Sequence, residues 1–305
     1  MKSLLSYMLL SVLVVSFYGC SNSDDFGNEA DQQYNFSVQA IKESGDVQTR
    51  ALFLGGNNSN RFYSLWDSGD KANVYKEGTF VGNLTPAHVG ETTTELVGIL
   101  SGSYAVNDML DVYVPSATMD FTGQKGTVGD LSSKHSFMMK TAKVISVSGT
   151  DVTTEKLEFV SRQCYVHFQF TDADGVRLHV EQLIISAASG KLVLTKTKEG
   201  DTTYGDLEIN LDKENGEYPS DVYVALHNDS GAKDVYNFTV KADGYTYYST
   251  ESAAKINANL QDGHSYNANK QLTLQSAASR ITTTSSVNDF GAGNGASGEA
   301  GSVNF

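Results

Sequence analysis

The side chains able to do chemistry are few and scattered. Six histidines stand at positions 88, 135, 167, 179, 227 and 264, without ligand spacing between any of them. His135 with Met138 and Met139 offers the imidazole and thioether donors that copper takes, although a lone triplet is ordinarily packing and surface. Asp172-Ala173-Asp174-Gly175 begins like a calcium loop, then lacks the next acidic position and the distal Glu, and so reads as a hairpin turn. Tyr245-Thr246-Tyr247-Tyr248 could line a sugar-binding face, but tyrosine is also a favoured strand residue, which makes core and cross-strand packing the preferred reading. Cys164 shares a face with Val166 and Phe168, the setting of a buried inert thiol, whereas His167 falls on the polar phase and is expected in solvent. There is no Walker loop, no G-x-G-x-x-G after a strand, no H-E-x-x-H and no G-x-S-x-G. The expectation is a protein without a catalytic residue, cofactor or metal of its own.

Charge narrows the partners. The chain carries a formal net charge of −14, and such acidity argues against nucleic acid, whose phosphates need a clustered basic surface. Solubility outside the cell is the plain reading of it. Only two cysteines are present, Cys20 and Cys164, too few for a disulfide framework.

The beginning reads as an address. Lys2 is the only charge before Asp24, and Leu4 to Phe17 is almost unbroken apolar chain. That is the layout of a secretory signal over residues 1–19, too short to span a bilayer stably. Phe17-Tyr18-Gly19-Cys20 resembles the lipobox of bacterial lipoproteins, in which the chain is cut before the Cys and its thiol takes a diacylglycerol. Ser21-Asn22-Ser23-Asp24-Asp25 then resembles a surface-export tether. Acyl chains on Cys20, palmitate among them, would hold the protein on a membrane without a helix. An ordinary signal with an incidental Cys is the alternative.

The rest must be strands. Tyr34, Phe36, Val38 and Ala40 alternate with polar residues, the period of a half-buried strand. Lys42 to Arg50 is polar and reads as a loop. Strand patterns recur at Ala72–Tyr75, Thr79–Leu84, Thr94–Leu100, Leu110–Val114 and Lys140–Ser148. The signal breaks around Gly149-Thr150-Asp151, which places a domain boundary near residue 153. Leu157 to Phe170 is the clearest strand signal, with a phase change before Cys164 that requires a bulge or two strands. Further patterns follow at Val180–Ser186, Lys191–Thr195, Asp206–Leu211, Val222–Leu226, Tyr236–Lys241 and Tyr245–Ser249. Short connections and no amphipathic helix point to antiparallel sandwiches.

Taken in order, these motifs resemble the fimbrillin lipoproteins, the subunits of type V pili. Trp66-Asp67-Ser68-Gly69-Asp70-Lys71 with Val74-Tyr75 looks like the family's tryptophan-then-Gly-Asp strand. Tyr104 with Leu110 to Ser116, then Thr122-Gly123-Gln124, looks like the element after it. Leu157 to Phe170, Asp221 to Leu226 and Leu260 to Tyr266 resemble strands of a second domain. Ser286 to Phe290 with Gly291 to Glu299 resembles the closing strand and glycine tail.

The resemblance implies an all-β protein of two antiparallel β-sandwich domains with transthyretin-like topology. Residues 20–50 would be a lipidated tether and first strand, removable as a propeptide. Residues 51–153 and 154–305 would be the two domains, the second carrying a donor strand at 280–290 and a glycine-rich tail at 291–305. It also implies cleavage by an Arg-specific protease between Arg50 and Ala51. Removing the strand of Tyr34, Phe36, Val38 and Ala40 would open an apolar groove, which a neighbour's strand would refill. Ile281, Val287 and Phe290 are the candidate donor anchors. The implied protein is a structural pilin of an adhesive fimbrium, anchored first in the outer membrane, whose partners are other pilin subunits, the protease and a surface receptor. A monomeric surface lipoprotein binding glycan or host ligand stays open, as does a tip or anchor role.

Overall fold

The computed structural model describes residues 32–42, 53–54, 62–63, 65–172, 174–249, 256–267, 272–273, 275–276, 286–291 and 302–304. Strands dominate, with one short helix among the described residues, and the all-β expectation is borne out. The first sheet contains β1 (Gln33–Lys42), β2 (Ala72–Lys76), β3 (Thr79–Pro86), β4 (Thr93–Ser101), β5 (Met109–Val114), β6 (Met138–Ser148), β7 (Asp151–Thr154) and β8 (Leu157–Ser161).

Its order, β7-β1-β8-β6-β5-β2-β3-β4, closes on itself because β1 also pairs with β4. β7 and β8 share one place in the ring. Phe36 stands opposite Val152 of β7, and Ala40 opposite Leu157 of β8. The result is a seven-place, barrel-like ring whose inward faces make one core. β1 runs parallel to β7 and β8 and antiparallel to β4, so the pairing is not antiparallel throughout.

Two backbone features hold this ring. Gly98 of β4 lies opposite Phe36 on one side and Leu84 of β3 on the other. A Cβ at Gly98 would run into the Asn83 carbonyl oxygen, so only glycine allows β3 this close. The break seen in the sequence at Gly149-Thr150 is the two-residue turn of the β6–β7 hairpin, in which Ser148 pairs with Asp151. After this hairpin the chain still belongs to the first ring as far as Ser161, with Leu157 and Phe159 in its core, whereas the earlier segment from Met119 to Phe137 packs with the second set of strands.

The stretch from Leu157 to Phe170 is therefore two strands, as its phase change requires. β9 (Cys164–Thr171) opens a second set of strands with β10 (Val180–Ala187), β11 (Leu207–Asn210), β12 (Asp221–Leu226), β13 (Asp234–Ala242), β14 (Tyr245–Tyr248), β15 (Ser265–Asn267), β16 (Ser286–Gly291) and β17 (Ser302–Asn304). One sheet runs β12-β9-β15-β16-β17 and the other β11-β10-β13-β14, with shorter strands at their margins. Residues of β9 to β14 build a second core, joined by Met119, Phe121, Leu131 and Phe137 from earlier in the chain and by Tyr266 of β15. Phe168 of β9 meets Phe238 of β13 edge to face at 5.3 Å, so the two sheets face each other across one apolar layer.

The one helix, α1 (Val128–Lys134), has no counterpart in the sequence reading. Its seven residues are too few to show an apolar period, and it is held instead by capping. The Thr127 hydroxyl accepts from the Asp130 N–H at 3.2 Å, and Lys134 pairs with Asp130 at 3.0 Å. Before it, the fully buried Gln124 donates to the Phe121 and Ala225 carbonyls, each at 2.9 Å, and accepts from the Ala225 N–H at 2.8 Å. This side chain is what pins the Gly123–Gly126 loop to β12.

Gly98→Ala is expected to destabilise the fold by about 1–3 kcal/mol through overpacking against β3. Urea unfolding of the purified protein reads this directly; an unchanged midpoint would mean that β3 and β4 can separate freely.

Candidate functional site

The strand that closes the ring is the feature on which a function can be built. β1 is bound along both edges. Its register with β4 runs without interruption from Gln33 opposite Ser101 to Ile41 opposite Thr93. At its ends the Asn35 N–H donates to the Thr150 carbonyl at 2.7 Å, and the Lys42 N–H to the Thr92 carbonyl at 2.9 Å. Outward, Asn35 donates to Asp151 at 3.1 Å and Ser37 to Glu95.

Inward, Tyr34, Phe36, Val38 and Ala40 are all buried in the ring's core. Burying each of the three larger ones contributes roughly 1.5–3 kcal/mol. Tyr34 packs edge to face on Tyr104 at 5.0 Å. Tyr104 in turn donates to the Ser101 carbonyl at 2.8 Å, and burial, then the neighbouring Tyr34 and Asp108, push its hydroxyl up to about 12.

The fifth inward residue is Lys42, and it corrects the expectation of a loop starting there. Lys42 continues the period of 34, 36, 38 and 40, and it is fully buried. Its ammonium donates to Asp70 Oδ2 at 2.8 Å and to the Leu65 carbonyl at 2.7 Å, and lies 4.3 Å from the centre of the Trp66 ring. Asp70 is fully buried too, and the same oxygen accepts from the Asp67 N–H at 2.8 Å. Trp66 packs on Phe159 at 5.8 Å, which shields the pair from the core side. The Trp66–Asp70 turn thus holds a carboxylate inside the ring, where the last residue of β1 meets it. The sequence signal for this was the unbroken period; lysine's charge concealed it.

The other expected positions divide clearly. Cys20, Arg50, Ala51 and Ile281 lie outside the described residues. Val287 and Phe290 lie on β16, which pairs with β15 and β17. Residues 33–42 are therefore the part of the expected machinery whose surroundings are visible.

The remaining chemical candidates separate as well. His135 is buried with Nδ1 at 2.9 Å from the Asp120 carbonyl oxygen, while Met138 is in the first core, so the triplet does not converge. Asp172 accepts from the N–H groups of Asp174 and Val176, the hydrogen bonding of a turn. Tyr247 is buried, whereas Tyr245 and Tyr248 are 61% and 43% exposed. Cys164 is a buried free thiol.

His167 differs from the expectation of full solvent exposure: its ring stacks on Tyr223, directly opposite on β12, at 4.4 Å, and donates to Asp221 at 2.8 Å. Burial pushes the Asp221 carboxyl up, but hydrogen bonds from Gln169 and His167 and the charge of Arg177 outweigh it and leave it below its ordinary value. Among the described residues no group of three His, Cys, Asp or Glu side chains could hold a metal, and no helix is long and apolar enough to cross a membrane.

No family model matches the chain, and no curated protein does. Solved structures that resemble it include a candidate cell adhesion protein from Bacteroides uniformis, at 17% identity and TM-score 0.46, covering 84% of this chain and 99% of that one. Another from Bacteroides ovatus has 13% identity and TM-score 0.46, covering 82% and 97%. A tip fimbrial protein from Porphyromonas gingivalis has 8% identity and TM-score 0.35, covering 77% and 94%. These descriptions are in keeping with the fimbrillin resemblance. Likenesses of this size carry no argument by themselves, and the functional reading rests on β1 and its surroundings.

Asp70→Ala is expected to cost about 3–5 kcal/mol, because it removes one member of a fully buried ion pair. The double variant Lys42→Met/Asp70→Leu is expected to recover most of that loss. Urea denaturation of both variants checks it; a double variant as unstable as the single one would show that packing, not charge, is what the site needs.

Proposed function

We propose that this chain is a structural subunit of an adhesive surface fimbrium, exported as a lipoprotein through Cys20 and polymerised by donor-strand exchange. The observation that carries the reading is β1. It is a single segment, at the beginning of the described chain, that completes both the hydrogen bonding and the apolar core of an otherwise open ring. Shortly beyond its end the sequence offers Thr49-Arg50-Ala51, where an Arg-specific protease would free it together with the lipid.

Losing β1 would bare the inward faces of β4, β7 and β8 and leave two unpaired sheet edges. Such a surface does not persist in water, and a strand from a neighbouring subunit restores both. In this reading the 280–290 segment, with Ile281, Val287 and Phe290, serves a neighbour. In the same reading the chain has two domains of transthyretin-like sandwich topology. The precursor sits on the outer membrane by its lipid, and the mature subunit in a fimbrium that touches a host or bacterial surface. The subunit has no catalytic role.

A second reading is supported by the exposed Tyr245 and Tyr248 on β14. In it the chain stays monomeric on the surface, keeps β1, and binds glycan across aromatic faces.

Treating the purified precursor with an Arg-specific protease separates the two. The pilin reading expects a new N-terminus at Ala51 and a ladder of oligomers on sizing. An intact Arg50, or a cut product that stays monomeric, favours the glycan-binding reading.

A further inference from the structure

We infer that a cleft beside the second set of strands, between the 126–128 loop and the 214–221 segment, binds a neutral saccharide. The inference gives the surface contact of the reading above a place and a ligand class, and it rests on that reading only for the existence of such a contact. No residue lining the cleft belongs to the ring, so the site does not depend on whether β1 stays or leaves.

Backbone bonds set the cleft before any ligand enters. In Glu214-Asn215-Gly216-Glu217 the positive φ angles, 54° and 92°, fall on Asn215 and Gly216, the residue types that tolerate them. The Glu214 N–H donates to the Glu217 carbonyl at 2.8 Å, and the Glu217 N–H returns to the Glu214 carbonyl at 3.1 Å. Beyond this turn the Val180 N–H donates to the Pro219 carbonyl at 2.9 Å, and the Tyr223 N–H reaches across to the Gly126 carbonyl at 2.9 Å. A Cβ at Gly126 would lie 2.9 Å from the Leu211 side chain, so the loop keeps this close approach to the strands only with glycine there. The cleft so framed holds about 450 Å³, inside the range of roughly 300–1,000 Å³ that small-ligand sites occupy.

Its walls select by chemistry. Tyr218 and Tyr223 bring ring carbon, and Glu214, Glu217 and Asp221 bring carboxylate acceptors. Flat aromatic surface beside planar acceptors matches a sugar ring, which has an apolar C–H face and a rim of hydroxyl donors. Tyr223 is stacked on His167, and burial, then the neighbouring Asp221, push its hydroxyl up to about 12, so it stays neutral and can donate as well as accept. Asp221 accepts from Gln169 at 2.7 Å, His167 at 2.8 Å and Arg177 at 3.0 Å. A carboxylate has about four acceptor sites, which leaves capacity for a ligand hydroxyl. Charge then separates the ligand classes. An anionic sugar would meet three carboxylates. A cation finds its best places taken, because the Lys213 ammonium already lies 4.9 Å from the centre of the Tyr218 ring and the Arg177 guanidinium already pairs with Asp221. A purely apolar ligand would take the carboxylates out of water and give them no donor. An uncharged polyhydroxyl molecule meets none of these costs.

The test applies the uncut full chain to an array of neutral oligosaccharides ending in galactose, glucose, mannose or N-acetylhexosamine, with sialylated and sulfated counterparts and oligolysine alongside. The best neutral ligand is then titrated by calorimetry into the native protein and its variants. A neutral oligosaccharide is expected to bind in preference to its anionic counterparts. Glu217→Ala and Tyr218→Ala, both at the surface of the cleft, should each weaken it about tenfold or more with the circular dichroism spectrum unchanged. Tyr245→Ala/Tyr248→Ala should leave the affinity as it is. Binding that is lost in this last variant and kept in the two cleft variants overturns the inference and favours glycan binding on β14. Binding of no neutral oligosaccharide, or of the anionic sugars or oligolysine in its place, overturns it as well. Cleavage at Arg50 and the oligomer ladder are read on separate samples, so failure of the cleft and failure of strand exchange are told apart.

Discussion

A ring of strands has no edges only while every place in it is filled, and here one place is filled by a segment from the beginning of the described chain. β1 pairs with β4 along its whole length on one side and with β7 and β8 on the other. The other neighbours in the ring come from residues 72–161, so the ring's remaining strands are nearly contiguous in sequence and β1 is the outsider. Its removal would not cut any connection among them. It would, however, open two edges and an apolar interior at once, which is the condition under which a foreign strand is taken up.

The Lys42–Asp70 pair gives that closure its register. A buried ion pair is weak evidence for stability, since hydrophobic residues of similar volume often do as well. What it does well is penalise misplacement. The pleat has period two, so a slip of β1 by one residue would turn Tyr34, Phe36, Val38 and Ala40 outward and withdraw the ammonium from Asp70 together. One polar contact at the end of an apolar face therefore fixes the alignment of the whole strand, with Trp66 and the Leu65 carbonyl as its remaining walls.

Much of this was legible from residue order. The alternation at 34–40, the short strands from Ala72 to Val114 and the divided run from Leu157 to Phe170 follow from period alone. Other features did not show. Lys42 carries a charge, and the pattern that marks a loop by its polarity ends the strand two residues early; its burial is supported by Asp70, 28 positions away, which local patterns do not reveal. α1 is shorter than two helical periods. The closure of the first sheet depends on β1 pairing with strands that lie on both sides of it in space, a long-range fact that local patterns do not contain. His167 shows the same limit, because the polar phase of a strand faces solvent only where the neighbouring strand leaves it room, and Tyr223 does not.

A structure of the assembled polymer tests the central claim most directly. The account predicts that the place between β4 and the β7–β8 pair holds a strand from another subunit, with residues 33–42 of the same chain gone. Finding the chain's own residues 33–42 still in that place, in subunits that nevertheless polymerise, would contradict it.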